Sequence, residues 1–368
     1  MEVIRTIHPI GQGAFYTEKL TFGEKTVNVV YDCGCEMQMQ APPRALSLVK
    51  QWCQDVSQID LLFISHFHAD HMNCIKTILE SKIKVKNVII PYIHPDLLLF
   101  LTMYYQYYQN SIPYIFINPY DVFRNTGTNI ITVHPADDDI NRVDPISINQ
   151  LQNNISLYSN QAIEINGWLY LPFTKTDNLK CTTVLQNHFA QHKWNINSSD
   201  WLYDKQGAAS LKKIYTNYFK LLNETSLMVY SGPIREYLLD CFSNMHGCCA
   251  ALRPCSDGIE RCHRNPSCLY TGDITIDATT LCAIDKVINR YKIGTFQIPH
   301  HGSKNSWKHG YSISHFYKCV NYIDTFLSFG NNNRYRMPSI DLMTSFDLLN
   351  VSVRKVNENN SFQQAFKI

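Results

Sequence analysis

Charge of either sign is nearly balanced in this chain. Its 33 lysines and arginines face 31 aspartates and glutamates, a formal net charge of +2. That balance excludes the broad basic surface of sequence-independent polyanion binding, while leaving room for a local basic patch. Long hydrophobic runs are also lacking. The most apolar window, Leu97-Leu98-Leu99-Phe100-Leu101, passes into Met103-Tyr104-Tyr105-Gln106-Tyr107-Tyr108, far short of a bilayer-spanning helix. Met1-Glu2-Val3-Ile4-Arg5 has neither the charged nor the apolar region of a secretory leader. The thirteen cysteines, an odd number, include no Cys-x-x-Cys pair. Without a leader they are expected to be reduced thiols, and the protein cytoplasmic with no membrane partner. Internal repeats and low-complexity linkers are absent, so nothing demands two independently folding units. The 45% hydrophobic and 17% charged contents of the 368 residues suit a globular chain with a large core.

The chain does have a dense set of metal-binding side chains in Ser65-His66-Phe67-His68-Ala69-Asp70-His71. This stretch follows the apolar run Leu61-Leu62-Phe63-Ile64 and precedes a segment that reads as helix, Met72 to Lys82. It therefore falls at the C-terminal edge of a buried strand, where open α/β sheets place their chemistry. Three imidazoles and a carboxylate suit zinc or a similar divalent ion. His66 and His68, two apart on extended backbone, can grip one ion. Asp70 and His71, past the turn, can reach a second. A surface histidine cluster, or a helix start capped by Asp70, is the alternative.

His-x-His-x-Asp-His after a buried strand resembles the signature of the metallo-β-lactamase fold superfamily. Three further segments resemble its remaining motifs in the same order. Gly11-Gln12-Gly13, with the run ending Val29-Val30-Tyr31-Asp32-Cys33-Gly34, resembles the opening hairpin and its Asp-x-Gly turn. Leu269-Tyr270-Thr271-Gly272-Asp273 resembles the Gly-Asp whose carboxylate bridges both metals. Ile298-Pro299-His300-His301-Gly302-Ser303-Lys304 resembles the last-ligand motif. The His-His-Gly-Ser form, the Gly-Gln-Gly opening and Ser328-Phe329-Gly330…Asn333-Arg334-Tyr335…Pro338-Ser339 resemble one branch, the hydrolase domain of DNA-uptake competence (ComEC-type) proteins.

The resemblance implies an α/β fold, a four-layer αββα metallo-β-lactamase sandwich over residues 1–368 as a single domain. Insertions are expected at about 96–128, at 174–222 as a helical cap, and at 232–267 as a Cys-rich loop. It also implies two divalent ions, Zn or Mn, held by His66, His68, Asp70, His71, Asp273 and His301, with Asp32 orienting ligands from behind. Two departures from the branch stand out. Ala14 follows Gly-Gln-Gly where the branch has aspartate, and Tyr335-Arg336-Met337-Pro338 stands where the branch has Tyr-Gly-His-Pro, so the histidine is missing and an arginine has appeared.

Most members of the superfamily supply a third histidine to the first metal. His134, ending Ile130-Ile131-Thr132-Val133, is one candidate, and His188 and His192 lie in an expected insertion. The competence branch has instead an Asn-x-x-Ser-Leu strand opening, which Asn223-Glu224-Thr225-Ser226-Leu227 matches and Asn153-Asn154-Ile155-Ser156-Leu157 mimics. The 223 segment is preferred, because strands 226–230 and 268–271 would form the hairpin that ends in Gly272-Asp273. Asn223 and Ser226 then face substrate. His300, beside the ligand His301, is expected to bind a developing oxyanion or protonate a leaving group. Ser303 and Lys304 can bind a phosphate oxygen, or be a helix cap and a solvated lysine. Arg334 and Arg336 also suit a phosphate.

Between 241 and 268 lie Cys241, Cys248, Cys249, Cys255, Cys262 and Cys268, with His246 and His263. They read either as a structural zinc site or as scattered buried thiols. The tyrosines of a helix at 97–109 can line a cleft, stack on bases or pack a core. Leu211, Ile214, Tyr215, Tyr218, Phe219 and Leu222 give a helical apolar period at 206–222, read as a cap over the site or an oligomer contact. Residues 43–57 and 278–291 read as helices, and 351–356 as a closing strand.

The expected activity is a binuclear metal phosphodiesterase or nuclease acting on a nucleotide or single-stranded DNA, with Asp70, His300 and Lys304 in catalytic roles. A hydrolase of small esters, thioesters, lactones or β-lactams is the alternative, because the same chemistry serves all of them. An inactive partner-binding module is a third reading, against which the intact ligand set argues.

Overall fold

The structure is a computed structural model, and it describes residues 1–36, 41–99, 122–123, 126–135, 144–159, 161–175, 179–195, 213, 223–234, 260–261, 265–288, 293–307 and 323–368. Several expected features lie outside these residues: the tyrosine helix beyond residue 99, most of the 206–222 helix, and the cysteines and histidines at 241–263.

Two sheets carry the fold. The first contains β1 (Glu2–Ile7), β2 (Gly13–Phe22), β3 (Lys25–Cys35), β4 (Gln58–Phe63), β5 (Lys84–Pro91), β6 (Asn129–His134), β8 (Ser156–Tyr158), β12 (Glu260–Arg261) and β17 (Phe362–Lys367). Its nine strands run in the order β12-β17-β1-β2-β3-β4-β5-β6-β8. The second contains β7 (Ile146–Ser147), β9 (Ile163–Ile165), β10 (Trp168–Phe173), β11 (Met228–Pro233), β13 (Cys268–Tyr270), β14 (Thr295–Gln297), β15 (Asp324–Ser328) and β16 (Val353–Val356). Its order is β16-β15-β14-β13-β11-β10-β9-β7. The expected hairpin is present, with β11 antiparallel to β13 and Val229 opposite Tyr270.

Strand alternation builds the layers. Leu61 and Phe63 of β4 point between the sheets, where they meet Tyr16, Tyr31, Tyr170, Val229 and Phe326. Leu62 and Ile64 point outward, onto helices α1 (Pro43–Gln54), α2 (Ala69–Met72) and α3 (Ile75–Glu80), and Ile59 at the start of β4 joins the same cluster. The apolar run of β4 is continuous because both of its faces are buried. On the second sheet's outer face, α5 (Ala278–Val287) and α6 (Ile340–Leu348) pack through Leu281, Ile284, Leu342 and Phe346. A further helix, α4 (Leu179–Gln191), precedes that pair in the chain and buries Leu185 and Phe189. The result is the expected four-layer arrangement, helices outside two sheets.

Several boundaries differ from the sequence reading, the helix read at 43–57 among them, which ends at Gln54. The helix expected at 72–82 is two short helices, because Asn73 is drawn to the end of β3. Its Oδ1 accepts from Cys35 N at 2.9 Å and its Nδ2 donates to Cys35 O at 2.8 Å. The tail forms two strands rather than one. β16 edges the second sheet, and β17 pairs with β1 in the first. The helix expected at 278–291 ends at Val287.

A fully buried ion pair spans the sandwich interior. Arg5 Nε donates to Glu18 Oε1 at 2.7 Å, and its other nitrogens reach Gln364 Oε1 and Pro266 O. Glu18 also accepts from the hydroxyls of Tyr170, Ser231 and Tyr270 at 2.6–2.8 Å. Burial raises the Glu18 carboxyl, but Arg5 and these donors outweigh it and hold the pKa below the ordinary value.

Candidate metal centre

The candidate ligands all leave the C-terminal ends of strands or the turns just beyond them. β3, β4 and β5 are parallel neighbours in one sheet, and β13, β14 and β15 in the other, so their C-terminal ends share an edge. His66, His68, Asp70 and His71 follow β4, Asp273 follows β13, and His300 and His301 follow β14.

Asp32 is built into place by a bulge. Phe15 pairs with Cys33 and Tyr16 with Tyr31, which leaves Asp32 unpaired with φ 57°. Its Oδ1 accepts from Ser65 N at 2.7 Å, and its Oδ2 accepts from Ser65 Oγ at 2.7 Å and from His71 Nδ1 at 2.8 Å. These bonds set tautomers. An Nδ1 proton on His71 leaves its Nε2 as a free lone pair. With its hydrogen donated to Asp32, the Ser65 hydroxyl accepts from His66 Nδ1 at 2.9 Å, and His66 Nε2 is freed likewise.

Glycines bring the carrying helix close. A Cβ at Gly34 would collide with the backbone nitrogen of Met72 and lie 2.6 Å from Ala69 O, and one at Gly13 would lie 2.7 Å from Asp70 O. Strand β3 and the start of β2 thus press directly on α2, which presents Asp70 and His71. Gly-Gln-Gly also reaches the late motif. Ser328 Oγ donates to Gly13 O at 3.0 Å, Gly330 N donates to Gln12 Oε1 at 3.1 Å, and the Ser328 carbonyl holds His301 Nδ1 at 3.0 Å.

The freed atoms converge. His66 Nε2 and His68 Nδ1 are 2.9 Å apart, and His66 Nε2 is 3.7 Å from Asp273 Oδ2. His71 Nε2 is 3.1 Å from Asp273 Oδ1, and His301 Nε2 is 3.3 Å from Asp70 Oδ2 and 4.0 Å from Asp273 Oδ1. Among the described residues, two groups could each hold an ion: His66, His71 and Asp273, and Asp70, His71 and His301; the expected ligand His68 falls in neither, its Nδ1 being hydrogen-bonded to His66 Nε2. Asp70 Oδ1, His71 Nε2, Asp273 Oδ1 and His301 Nε2 are buried and make no hydrogen bond. His71 and His301 lie within ion-pair reach of Asp273 and Asp70, yet four buried polar atoms without hydrogen bonds would be costly in the absence of a cation, so the residues fit the metal that the motifs imply.

The electrostatics put His66, His68 and Asp273 in their ligand protonation states and favour a proton on His71 and His301. Burial pushes His66 well below its ordinary value and His68 down to about 4, so both are neutral near pH 7. Burial lowers His71 too, but Asp273, Asp32 and Asp70 outweigh it and hold it well above. Burial raises Asp273, yet His300, His71 and His66 keep it well below the usual carboxylate range. For His301, burial is outweighed by Asp70 and Asp273, which raise it. An incoming ion would displace the protons on His71 and His301.

The remaining expected residues fall in distinct places. His300 is 26% exposed with Nε2 3.6 Å from Asp273 Oδ2, more open than the buried ligand histidines. Ser226 Oγ accepts from Asp273 N at 3.4 Å, so it supports the Gly272-Asp273 turn, and Asn223 is buried beside it in the chain. Ser303 accepts from Asn305 N, as a cap. Lys304 lies at the surface, 2.9 Å from Asp341. Arg334 donates to Tyr335 Oη at 2.7 Å, and Arg336 is exposed with φ 56°. His134 stacks on Tyr92 at 4.2 Å and belongs to neither ligand group. His188 and His192 cluster with Trp194, on whose ring His192 stacks at 4.4 Å. Sequence reasoning missed Ser65, Asn73 and the Ser328 carbonyl. Only Ser65, directly before the first histidine, carried a signal.

The two large sheets and the ligand set at their shared edge are consistent with the metallo-β-lactamase fold. Residues 22–136, less than half of the chain, match the model of the Metallo-beta-lactamase superfamily. That span contains Asp32 and the four candidate ligands after β4, while Asp273, His300 and His301 lie beyond it. No curated protein matches the chain. Among solved structures, a possible metal-dependent hydrolase from Veillonella parvula DSM 2008 aligns at 8% identity over 98% of both chains, with a TM-score of 0.35. An isothiocyanate hydrolase from Delia radicum gut bacteria aligns at 8% identity over 98% of both, with a TM-score of 0.41. A diphosphatase of the PhnP family aligns at 9% identity over 100% of this chain and 99% of the other, also at 0.41. Likenesses of this size carry no inference about substrate. No helix among the described residues is long and apolar enough to cross a membrane.

Proposed function

We propose that this protein is a metal-dependent hydrolase that cleaves phosphodiesters, a phosphodiesterase or nuclease. One observation carries the metal-dependent part: the two oxygens of Asp273 face different histidines, Oδ1 toward His71 at 3.1 Å and Oδ2 toward His66 at 3.7 Å. Asp273 so placed would hold metal together with His66 and His71, while Asp70, His71 and His301 would form a second holding group, and His68 would be a further ligand beside His66. When bound, two ions supply Lewis acidity and a water of lowered pKa.

The chain's own residues do the rest. Asp32 and Ser65 fix the tautomers of His71 and His66, so that neither ligand must reorganise. Ser328 O and Asp70 position His301 from opposite sides. His300, partly open to solvent, can donate a proton from Nε2 to an oxygen leaving the substrate. The His-His-Gly-Ser form and the competence-type resemblance favour a phosphodiester over a small ester, lactone or thioester. Arg334 and Arg336 at the exposed loop add positive charge for a phosphate, while Lys304 must leave Asp341 to take part.

The test is hydrolysis of bis-p-nitrophenyl phosphate and of labelled single-stranded DNA with added Mn²⁺ or Zn²⁺. The Asp70→Ala, His71→Ala double variant serves as the control. Cleavage of both, lost in the variant, supports a nuclease, and cleavage of the small diester alone supports a nucleotide-sized substrate. Metal-loaded protein that cleaves neither refutes the phosphodiester reading.

A further inference from the structure

A cavity of about 180 Å³ is lined by Gln12, Glu36, Gly330, Asn333, Arg334, Tyr335 and Glu358. Three of its walls are one or two residues from a support of the metal centre. Gln12 precedes Gly13, which packs against Asp70 O. Gly330 follows Ser328, whose carbonyl holds His301. Glu36 follows Cys35, and both backbones bond the Asn73 side chain, two residues past His71. An occupant here would touch the same loops that set the ligands.

The lining is chemically mixed in an informative way. Tyr335 presents an aromatic ring that is 41% exposed, with the Arg334 guanidinium 5.0 Å from the ring centroid. Around it stand amides and two carboxylates. Glu358 is engaged with Asn331 N at 3.0 and 3.3 Å, whereas among the described residues the Glu36 carboxylate accepts no hydrogen bond. A phosphate would be repelled by this carboxylate, but a ring edge bearing N–H donors would be bound by it. The volume is below the 300–1,000 Å³ of drug-sized sites and suits one planar ring system.

We infer that this cavity is a nucleobase pocket, with the base stacked on Tyr335 and a donor edge such as that of guanine turned to Glu36. Arg334 at its rim is then the partner of the nucleotide's phosphate. The inference deepens the phosphodiesterase reading and rests on it for the source of the nucleotide. Base binding itself is measurable without turnover.

The experiment is calorimetric titration of the metal-stripped, full-length protein with guanosine 5′-monophosphate and with ribose 5-phosphate. It is run on the wild type and on Tyr335→Ala, Tyr335→Phe and Glu36→Gln, each checked for an unchanged melting curve. Guanosine 5′-monophosphate is expected to bind at least tenfold tighter than ribose 5-phosphate. Tyr335→Ala is expected to weaken it about tenfold or more, on the scale of base–aromatic stacking, while Tyr335→Phe retains most of the affinity. Glu36→Gln should weaken guanosine 5′-monophosphate and leave ribose 5-phosphate unchanged. Equal affinity for the two ligands, or an unaltered Tyr335→Ala, overturns the pocket even where diester hydrolysis is active. Binding with no diester hydrolysis leaves the pocket standing and sinks the phosphodiesterase reading instead.

Discussion

Asp32→Asn should disable the metal centre while leaving the fold intact. Asparagine tolerates the left-handed backbone of this bulge, φ 57°, so the substitution isolates the change from acceptor to amide. Asp32 accepts three hydrogen bonds at 2.7–2.8 Å, from Ser65 N, Ser65 Oγ and His71 Nδ1. An amide retains one oxygen and turns an NH₂ toward donors. If the NH₂ faces His71, the imidazole must accept at Nδ1 and carry its proton on Nε2, the atom 3.1 Å from Asp273. A protonated Nε2 cannot ligate. Loss of such an orienting partner costs about 10- to 100-fold in metal affinity or activity, or about 1.4–2.8 kcal/mol. The assay is competition for Zn²⁺ against a chromophoric chelator, with circular dichroism as the fold control. A folded Asp32→Asn protein that binds Zn²⁺ within threefold of wild type would refute the tautomer argument.

Gly34→Ala should reduce both metal binding and stability, because its Cβ meets the backbone of α2 rather than a flexible side chain. Overpacking of this kind costs about 1–3 kcal/mol, readable by urea denaturation, and a wild-type midpoint would contradict it. Glu18→Gln leaves Arg5 buried without its counter-charge and should destabilise by about 3–5 kcal/mol, with metal affinity per folded molecule unchanged. His8 is buried against Phe15, and burial pushes its pKa down to about 3, against an unfolded value of 6.5. The unfolded chain therefore binds the extra proton first, and stability present above pH 6.5 is lost as pH falls toward 3. The loss is on the order of 4 to 5 kcal/mol, seen as a steeper decline for wild type than for His8→Gln in chemical denaturation across that range.

Much of this was legible in the sequence because the site is written in local patterns. His66 through His71 sit within one turn of a strand end, and Gly272-Asp273 and His300-His301 follow short apolar strands of their own. The pairing of β11 with β13 followed from the Asn223 to Leu227 opening. What was not legible depends on distance in the chain. No local pattern marks Arg5 as buried; only the fold surrounds it with Glu18 of β2, Gln364 of β17, Tyr270 and the Pro266 carbonyl. The role of Gly-Gln-Gly was equally hidden, since Gln12 and Gly13 act through Ser328 and Gly330, more than three hundred residues away. Asn73 cut a predicted helix in two through a bond to Cys35 that no helical periodicity encodes. For Lys304 the surface contact with Asp341 favours the solvated alternative over phosphate binding.

The central claim is that the site holds two ions, one of them through Asp273, and metal stoichiometry tests it most directly. Protein reconstituted with Zn²⁺ or Mn²⁺ and freed of excess would be measured by inductively coupled plasma mass spectrometry, wild type beside Asp273→Ala. The account predicts close to two ions per chain in the wild type, and loss of both the second equivalent and diester hydrolysis in the variant. A folded wild type that retains no divalent ion, or an Asp273→Ala protein that keeps two, would contradict it.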